Sequence, residues 1–141
     1  MADKWKLDRT YLTMAKVWSK LSEAQRMQVG CLVVKNNQII SDGFNGTPTG
    51  FDNCCEGEDG STKPEVLHAE SNALTKLAKS TNSSEGATLY CTLSPCFECA
   101  KLIVQAGISR VVFEEKYRFE EGIKFLGKAE VELIWMQKQG N

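Results

Sequence analysis

Four residues in two short segments have the types and spacings of a metal site. His68 and Glu70 lie two residues apart, and Cys96 and Cys99 lie three residues apart. A spacing of three residues places both cysteine side chains on one face of a helical turn. One imidazole and two thiolates are ligands that zinc prefers, and a catalytic zinc site keeps its fourth position for water. His68 is the only histidine in the chain, so no second imidazole is present to close the site.

The same residues suit the hydrolytic removal of an amino group from a base. Zinc lowers the pKa of a bound water from about 16 to about 7 in favourable sites, and two thiolates make the ion a weaker acid. A carboxylate must then remove the proton and relay it to the leaving amino group, and Glu70 has the chemistry for that relay. Two alternatives stay open on these residues alone: a structural zinc site with Cys91 as the fourth ligand, and a chain that binds no metal.

The first half of the chain predicts one helix and one hairpin before a long loop. Strands are predicted at 30–34 and 39–44, joined by an Asn-Asn turn. Residues 45–63 hold four glycines and few apolar side chains, and we expect this long segment to be a substrate or effector loop. The first helix is predicted to have Asp8 as its N-cap and an apolar face made of Leu7, Tyr11, Met14, Trp18 and Leu21.

The second half alternates between helical and strand patterns. In chain order these are a helix after Pro64, a strand at 87–91, a helix at 96–106 ended by Gly107, a strand at 111–113, a helix around 119–126 and a strand at 131–135. The order α-β-β-α-β-α-β-α-β predicts an α/β fold with helices on both faces of one sheet. The later strands, which are joined through helices, should be parallel. At 141 residues, we expect a single domain over 1–141.

Composition argues against nucleic acid and membranes as partners. Seventeen basic and eighteen acidic residues give a net charge of -1 and a pI of 5.9, whereas nucleic-acid-binding domains often have a pI above ~9. No apolar run is long enough for a membrane helix, and the first six residues lack the apolar core of a signal peptide. We therefore expect a cytoplasmic protein with reduced thiols, whose partners are small molecules and copies of itself.

These motifs resemble the zinc-dependent cytidine and deoxycytidylate deaminase superfamily, in which His-x-Glu is combined with Pro-Cys-x-x-Cys. The resemblance covers nearly the whole chain and is carried mainly by residues 29–34, 43–50, 68–74 and 88–100. Within the superfamily, the Gly-Phe-Asn-Gly-x-Pro-x-Gly loop and the following Phe-Asp-Asn-Cys-Cys segment resemble deoxycytidylate deaminases. The resemblance implies a three-layer α/β/α cytidine-deaminase-like fold with a five-stranded mixed sheet.

For the chemistry, the resemblance implies hydrolysis of dCMP to dUMP and ammonia, a step that feeds dTMP synthesis. It implies one catalytic zinc per subunit on His68, Cys96 and Cys99, with Glu70 as the catalytic proton shuttle. It also implies a homo-oligomer, commonly a hexamer. Members of the family are often activated by dCTP and inhibited by dTTP, with Mg²⁺ on the effector phosphates.

The resemblance further implies which residues bind the substrate. The Asn45 side chain would contact the base or sugar. The backbone N–H of Ala69 and the carbonyl of Ser94 would hold the cytosine edge. Arg26 and Tyr117 match family positions associated with the 5′-phosphate. Lys116 and Arg118, on either side of Tyr117, have two interpretations: they bind the 5′-phosphate, or they are exposed surface charges.

The remaining expectations concern four further cysteines and four alternative functions. Cys54 and Cys55 are expected to be structural, and Cys31 and Cys91 to be buried core residues. A tRNA adenosine deaminase shares both motifs but must hold a polyanion, which a balanced charge does not favour. Free cytidine deaminases typically place cysteine at the position of His68. Deamination of dCTP on the same scaffold stays open, as does a structural zinc module without enzymatic activity.

Overall fold

Four helices and five strands alternate in the computed structural model, which describes residues 3–138. The predicted order of elements is confirmed; the predicted domain of 1–141 includes a few terminal residues outside the described range. In chain order the elements are α1 (Lys4–Ser19), β1 (Gly30–Lys35), β2 (Gln38–Phe44), α2 (Ala69–Ala78), β3 (Thr88–Leu93), α3 (Phe97–Gln105), β4 (Arg110–Glu115), α4 (Glu121–Lys128) and β5 (Glu132–Trp135).

The strands form one mixed sheet in the order β2-β1-β3-β4-β5. β1 and β2 are an antiparallel hairpin, and its turn residues Asn36 and Asn37 have φ of 52° and 60°. Positive φ at both turn residues is what a two-residue type I′ turn requires, and asparagine tolerates it. β1 pairs antiparallel with β3, whereas β3 with β4 and β4 with β5 are parallel. The mixed sheet and the parallel later strands are confirmed.

Alternating strand residues pack against helices on opposite faces of the sheet. Cys31 and Val33 of β1 belong to the larger core cluster, which includes residues of α2, α3 and α4. Leu32 and Val34 belong to a second cluster with Leu12 of α1. Successive strand side chains point to opposite faces, so a continuous apolar run such as β1 is buried on both sides. The predicted three-layer α/β/α arrangement is therefore confirmed.

The start and the buried face of α1 differ from the prediction. The N-cap is Asp3, whose carboxylate accepts a hydrogen bond from the N–H of Trp5 at 2.9 Å. Asp8 lies within the helix and is buried, so its prediction as the N-cap is wrong. On the predicted apolar face, Met14 and Leu21 are 42% and 50% exposed. The buried face lies one position later and consists of Asp8, Leu12, Ala15 and Ser19.

A buried polar cluster explains this offset. The Asp8 carboxylate forms a salt bridge with Arg110 of β4 and accepts a hydrogen bond from the Tyr90 hydroxyl at 2.6 Å. The salt bridge joins Arg110 Nη2 to Asp8 Oδ2, and Arg110 Nη1 donates at 2.8 Å to Oδ1, the oxygen that also accepts from Tyr90. A buried charge is tolerated when it is paired and hydrogen-bonded. Apolar periodicity cannot identify such a position, because it treats every aspartate as exposed.

The chain between β2 and α2 contains no helix or strand, as expected for the long loop. α2 begins at Ala69, later than predicted, because Leu67 pairs with Gly46 in an isolated antiparallel bridge. The two backbone hydrogen bonds of this bridge are 3.0 and 2.8 Å long. The bridge ties the start of the loop to the residue before His68. Among residues 3–138, no helix combines the length and apolarity needed to span a bilayer.

Candidate active site

Two helix N-termini bring the separated motifs together. His68 is the N-cap residue of α2, and Cys96, which follows β3, is the N-cap residue of α3. The His68 Nδ1 atom lies 3.4 Å from the Cys96 Sγ atom and 3.4 Å from the Cys99 Sγ atom. The partial positive charge at a helix N-terminus stabilises a thiolate. The fold therefore places three metal-ligating side chains at one point beyond the end of β3.

These three side chains fit a zinc ion. Their donor atoms all lie within 4.8 Å of one another. A nitrogen and a sulfur that bind one tetrahedral zinc are about 3.6 Å apart by typical bond lengths, close to the observed separations. Within residues 3–138 no fourth His, Cys, Asp or Glu joins the group. Cys91 is fully buried in β3 opposite Cys31 of β1, so it is not a fourth ligand.

Local hydrogen bonds shift the pKa values of the two thiols in opposite directions. A hydrogen bond from the Cys99 thiol lowers the pKa of Cys96, and contacts from His68 and the N–H of Cys99 act in the same direction. The hydrogen bond to Cys96, in which Cys99 keeps its proton, raises the pKa of Cys99, and burial raises it further. The Ser71 hydroxyl lies 3.6 Å from the Cys99 Sγ atom, a contact that the sequence did not suggest. These contacts favour the thiolate form of Cys96, which is the form that binds a metal ion.

Glu70 lies in the first turn of α2 and is only 4% exposed. It nevertheless lines the same cavity as His68 and Cys96. Burial raises the pKa of Glu70 to about 7. A carboxyl group with a pKa near neutrality can both accept and return a proton. Its position and burial therefore suit the proton-shuttle role expected from the sequence.

The cavity beside the metal ligands has a volume of about 420 Å³, which is in the range of small-molecule sites. Four of the expected substrate residues line it: Arg26, Asn45, Ser94 and Tyr117. Ala69, the fifth, is buried at the start of α2 and is not among the lining side chains. Its expected role concerns its backbone N–H, so this placement does not test it.

Asn45 also holds the neighbouring chain segment. Its side-chain Oδ1 accepts a hydrogen bond from the N–H of Val29 at 2.9 Å, and its Nδ2 donates to the carbonyl of Met27 at 2.8 Å. A side-chain amide has two donor hydrogens and two acceptor lone pairs. One hydrogen and one lone pair are therefore left for a bound molecule. The sequence predicted a ligand contact here but not this support of the backbone.

Ser94 and Tyr117 are linked to each other. The Ser94 hydroxyl accepts a hydrogen bond from the Tyr117 N–H at 2.7 Å, which ties the end of β3 to the loop after β4. The Tyr117 ring packs edge-on against Phe119, with centroids 5.6 Å apart. Lys116 and Arg118 also line the cavity. One cation thus lies on each side of Tyr117 at the edge of the cavity, and both side chains are exposed.

Two further carboxylates line the cavity, a position that their sequence context did not indicate. Glu56, in the long loop, accepts hydrogen bonds from the backbone N–H groups of Gln25 and Arg26. Glu115, at the end of β4, also lines the cavity. An acidic residue among glycines has the composition of an exposed loop, and no local pattern marks a partner thirty residues away. Cys55 lines the cavity as well and is buried.

Comparisons with known proteins identify the family to which this arrangement belongs. The family model described as the cytidine and deoxycytidylate deaminase zinc-binding region matches residues 5–115. A deoxycytidylate deaminase from Saccharomyces cerevisiae is 36% identical, and the alignment covers 92% of this chain and 44% of that protein. One from phage T4 is 35% identical, with 77% of each chain covered. The chain thus spans less than half the length of the Saccharomyces cerevisiae relative.

A solved structure is similar over its whole length. The crystal structure of dCMP deaminase from the cyanophage S-TIM5, in complex with dCMP and dUMP, is 48% identical and has a TM-score of 0.93. The similarity covers 96% of this chain and 100% of that chain. The fold and the family that the motifs predicted are confirmed: the chain belongs to the cytidine and deoxycytidylate deaminase family.

Proposed function

We propose that this protein catalyses the zinc-dependent hydrolytic deamination of dCMP to dUMP and ammonia, which would feed dTMP synthesis. The observation that carries the proposal is the meeting of His68, Cys96 and Cys99 beside the buried Glu70 at a nucleotide-sized cavity. The relatives reported above are deoxycytidylate deaminases, and the cyanophage S-TIM5 structure holds dCMP and dUMP.

The chemistry follows from the placement of Glu70. Zinc held by His68, Cys96 and Cys99 would supply a water molecule acidified toward neutral pH. The Glu70 carboxylate would accept the proton that the water loses as its oxygen bonds to C4 of cytosine, and would pass that proton to N3. Glu70 would then take the second proton, from the hydroxyl group now on C4, and pass it to the amino group, so that the C4–N bond breaks and ammonia leaves. The water thus provides the new carbonyl oxygen and the protons, and no other reactant is required.

The other cavity residues bind the nucleotide in this proposal. The free amide hydrogen and lone pair of Asn45 contact the base or sugar. The backbone N–H of Ala69 and the carbonyl of Ser94 hold the cytosine edge. Arg26 and the Tyr117 hydroxyl bind the 5′-phosphate. Arg26 forms no salt bridge with a carboxylate of residues 3–138, which leaves its guanidinium available for an anion.

Assembly, regulation and location are further parts of the proposal. We infer a homohexamer that is activated by dCTP and inhibited by dTTP, with Mg²⁺ on the effector phosphates. The family resemblance supports regulation, and exposed apolar side chains on α1 such as Val17, which is 65% exposed, support contact between copies. The six cysteines are free, which supports a cytoplasmic, reducing compartment.

Deamination of dCTP is the second candidate function. Arg26, Lys116 and Arg118 give the cavity three cationic side chains, more than one monophosphate needs. The same lining includes the carboxylates of Glu56 and Glu115, which would repel additional phosphate groups. This opposition of charges favours the monophosphate. A tRNA adenosine deaminase has less support, because the chain lacks the excess of positive charge that a polyanion requires.

The proposal is tested by following deamination of dCMP, deoxycytidine and dCTP in parallel by ultraviolet absorbance, with purified protein of measured zinc content. We expect turnover of dCMP with a far lower KM than that of deoxycytidine. Equal turnover of dCMP and deoxycytidine would contradict the proposed phosphate site and indicate a nucleoside deaminase. Preference for dCTP would support the second candidate. No turnover of any of them at full zinc content would support a non-enzymatic zinc module.

A further inference from the structure

The segment that carries Arg26 depends on other parts of the protein for its shape. Residues 20–29, between α1 and β1, contain no helix or strand. Backbone groups outside regular structure need partners from side chains or water. Side chains from outside the segment hold its backbone at two places: Asn45 binds the backbone at 27 and 29, and Glu56 binds it at 25 and 26.

Glu56 binds this segment through a single carboxylate oxygen. Its Oε2 atom accepts a hydrogen bond from the N–H of Gln25 at 3.0 Å and from the N–H of Arg26 at 3.2 Å. Hydrogen bonds from backbone N–H groups to an ionised carboxylate are about twice as strong as neutral ones. The contact therefore fixes the peptide groups on both sides of the Gln25 α-carbon, directly before the Arg26 side chain.

Glu56 is itself held in place by the long loop. It pairs with Thr62 in an isolated antiparallel bridge. On either side, the N–H of Gly57 donates to the carbonyl of Ser61 at 2.9 Å, and the N–H of Lys63 donates to the carbonyl of Cys55 at 2.8 Å. These bonds close residues 55–63 into a small turn. Glu56 lies at the base of this turn rather than at its tip, and its side chain lines the cavity.

We propose that Glu56 is a positioning residue for phosphate recognition: by fixing the backbone at 25 and 26, it holds Arg26 where the guanidinium meets the 5′-phosphate. This inference rests on the proposed deamination of dCMP. The negative charge of Glu56 alone predicts the opposite effect on dCMP binding, because a carboxylate at the cavity repels a phosphate dianion. Removing Glu56 should therefore weaken dCMP binding if it positions Arg26, and strengthen binding if it only contributes charge.

Three variants separate these roles. Glu56→Ala removes both the charge and the acceptor, Glu56→Gln removes the charge but keeps an acceptor oxygen, and Glu58→Ala changes an exposed carboxylate of the same loop. We expect Glu56→Ala to raise the KM for dCMP about tenfold with little change in kcat, as loss of one charge-assisted contact predicts. Glu56→Gln should restore most of the affinity, and Glu58→Ala should match the wild type.

Two further measurements exclude a general loss of structure. The kcat/KM for deoxycytidine, which has no phosphate, should be unchanged in Glu56→Ala, as should the zinc content and Tm. In an Arg26→Ala background, Glu56→Ala should raise the KM for dCMP no further, because the two residues act as one unit.

The inference is overturned if Glu56→Ala behaves like Glu58→Ala, lowers the KM, impairs deoxycytidine and dCMP equally, or adds fully to Arg26→Ala. In each of those cases dCMP turnover by the wild type would leave the proposed function standing. Absence of dCMP turnover by the wild type would instead remove the proposed function, and this inference with it.

Discussion

Glu70 is the residue whose chemistry is most sharply defined by its surroundings. It is buried in the first turn of α2, and its side chain still reaches the cavity that holds His68 and Cys96. Glu70→Gln keeps the size of the side chain and one acceptor oxygen but cannot carry a proton between two sites. We expect kcat for dCMP to fall by about 10²–10⁴-fold, as for loss of a general acid–base group. Steady-state kinetics, combined with zinc analysis of the same sample, measure this.

A nearby carboxylate provides the control for Glu70. Glu65 precedes α2 and is exposed, so Glu65→Gln should keep wild-type kinetics. If Glu70→Gln retains its zinc and still turns over dCMP at more than about a tenth of the wild-type rate, Glu70 is not the proton shuttle. Loss of zinc in Glu70→Gln would also contradict the assignment, because the residue would then act on the metal site rather than on the proton.

Residue types and spacing were sufficient to predict that His68, Cys96 and Cys99 form one candidate metal cluster, but not which residues support the site. His68, Cys96 and Cys99 were identifiable because zinc accepts few ligand types and because Cys-x-x-Cys matches one helical turn. The carboxylate of Glu56 acts on a backbone segment thirty residues earlier. Any side chain with an acceptor could fill that role, so composition and periodicity contain no signal for it.

At the scale of elements, α4 approaches the turn that carries Cys96 so closely that a side chain at one glycine position would clash. A Cβ atom at Gly122 would lie 2.1 Å from the carbonyl oxygen of Pro95 and 2.8 Å from the carbonyl carbon of Cys96. Gly122→Ala must therefore displace α4 or the turn that carries Cys96. We expect a loss of about 1–3 kcal/mol of stability, as for overpacking, and faster loss of zinc to a chelator. Thermal denaturation and chelator titration measure these two effects.

The same helix contains a matched control position. Gly127 also lies in α4, and a Cβ atom there would meet nothing within 4 Å. Gly127→Ala should keep wild-type zinc retention and gain up to ~1 kcal/mol, because alanine favours the helix more than glycine. If Gly122→Ala behaves like Gly127→Ala, the close packing of α4 on the Cys96 turn does not support the metal site.

Most elements could be predicted because local signals agreed with the tertiary structure. The helix α3 stops where Gly107 adopts a φ of 81°, as its predicted end requires. α1 was predicted with the wrong face because its buried side includes Asp8 and Ser19. The partners of Asp8 lie in the distant strands β3 and β4, and a pattern along one helix contains no information about them. The Ser19 hydroxyl donates to the carbonyl of Lys16 in the same helix, so this polar side chain can be buried without a distant partner. α2 was placed too early because Leu67 takes part in a bridge with Gly46.

For the molecule as a whole, the Asp8 cluster joins the first helix to the centre of the sheet. Burial alone would raise the pKa of Asp8, but hydrogen bonds from Arg110 and Tyr90 lower it below its ordinary value. Burial and the hydrogen bond to Asp8 raise the pKa of Tyr90, and Asp8 raises that of Arg110. All three groups therefore keep their charge states across neutral pH. The Asp8 carboxylate therefore joins α1 to the sheet, although Asp8 and Arg110 are 102 residues apart in the sequence.

The sign of the pH dependence follows from the lowered pKa of Asp8. A carboxyl group with a folded-state pKa below its unfolded value stabilises the fold above the unfolded value, near ~4, and loses that contribution as pH falls through the folded value. Asp8→Asn should therefore destabilise the fold by up to about 3–5 kcal/mol near pH 7, because the Arg110 guanidinium loses its buried partner and keeps only the exposed Glu132 carboxylate, 3.5 Å from its Nε. The difference from the wild type should shrink as the pH falls from about 4 toward the lowered folded-state pKa of Asp8, where the folded protein takes up the proton. Urea denaturation at several pH values measures both effects, and Asp3→Asn, at the exposed N-cap, is the control. A difference that stays constant with pH would show that Asp8 contributes to stability through packing rather than through its charge.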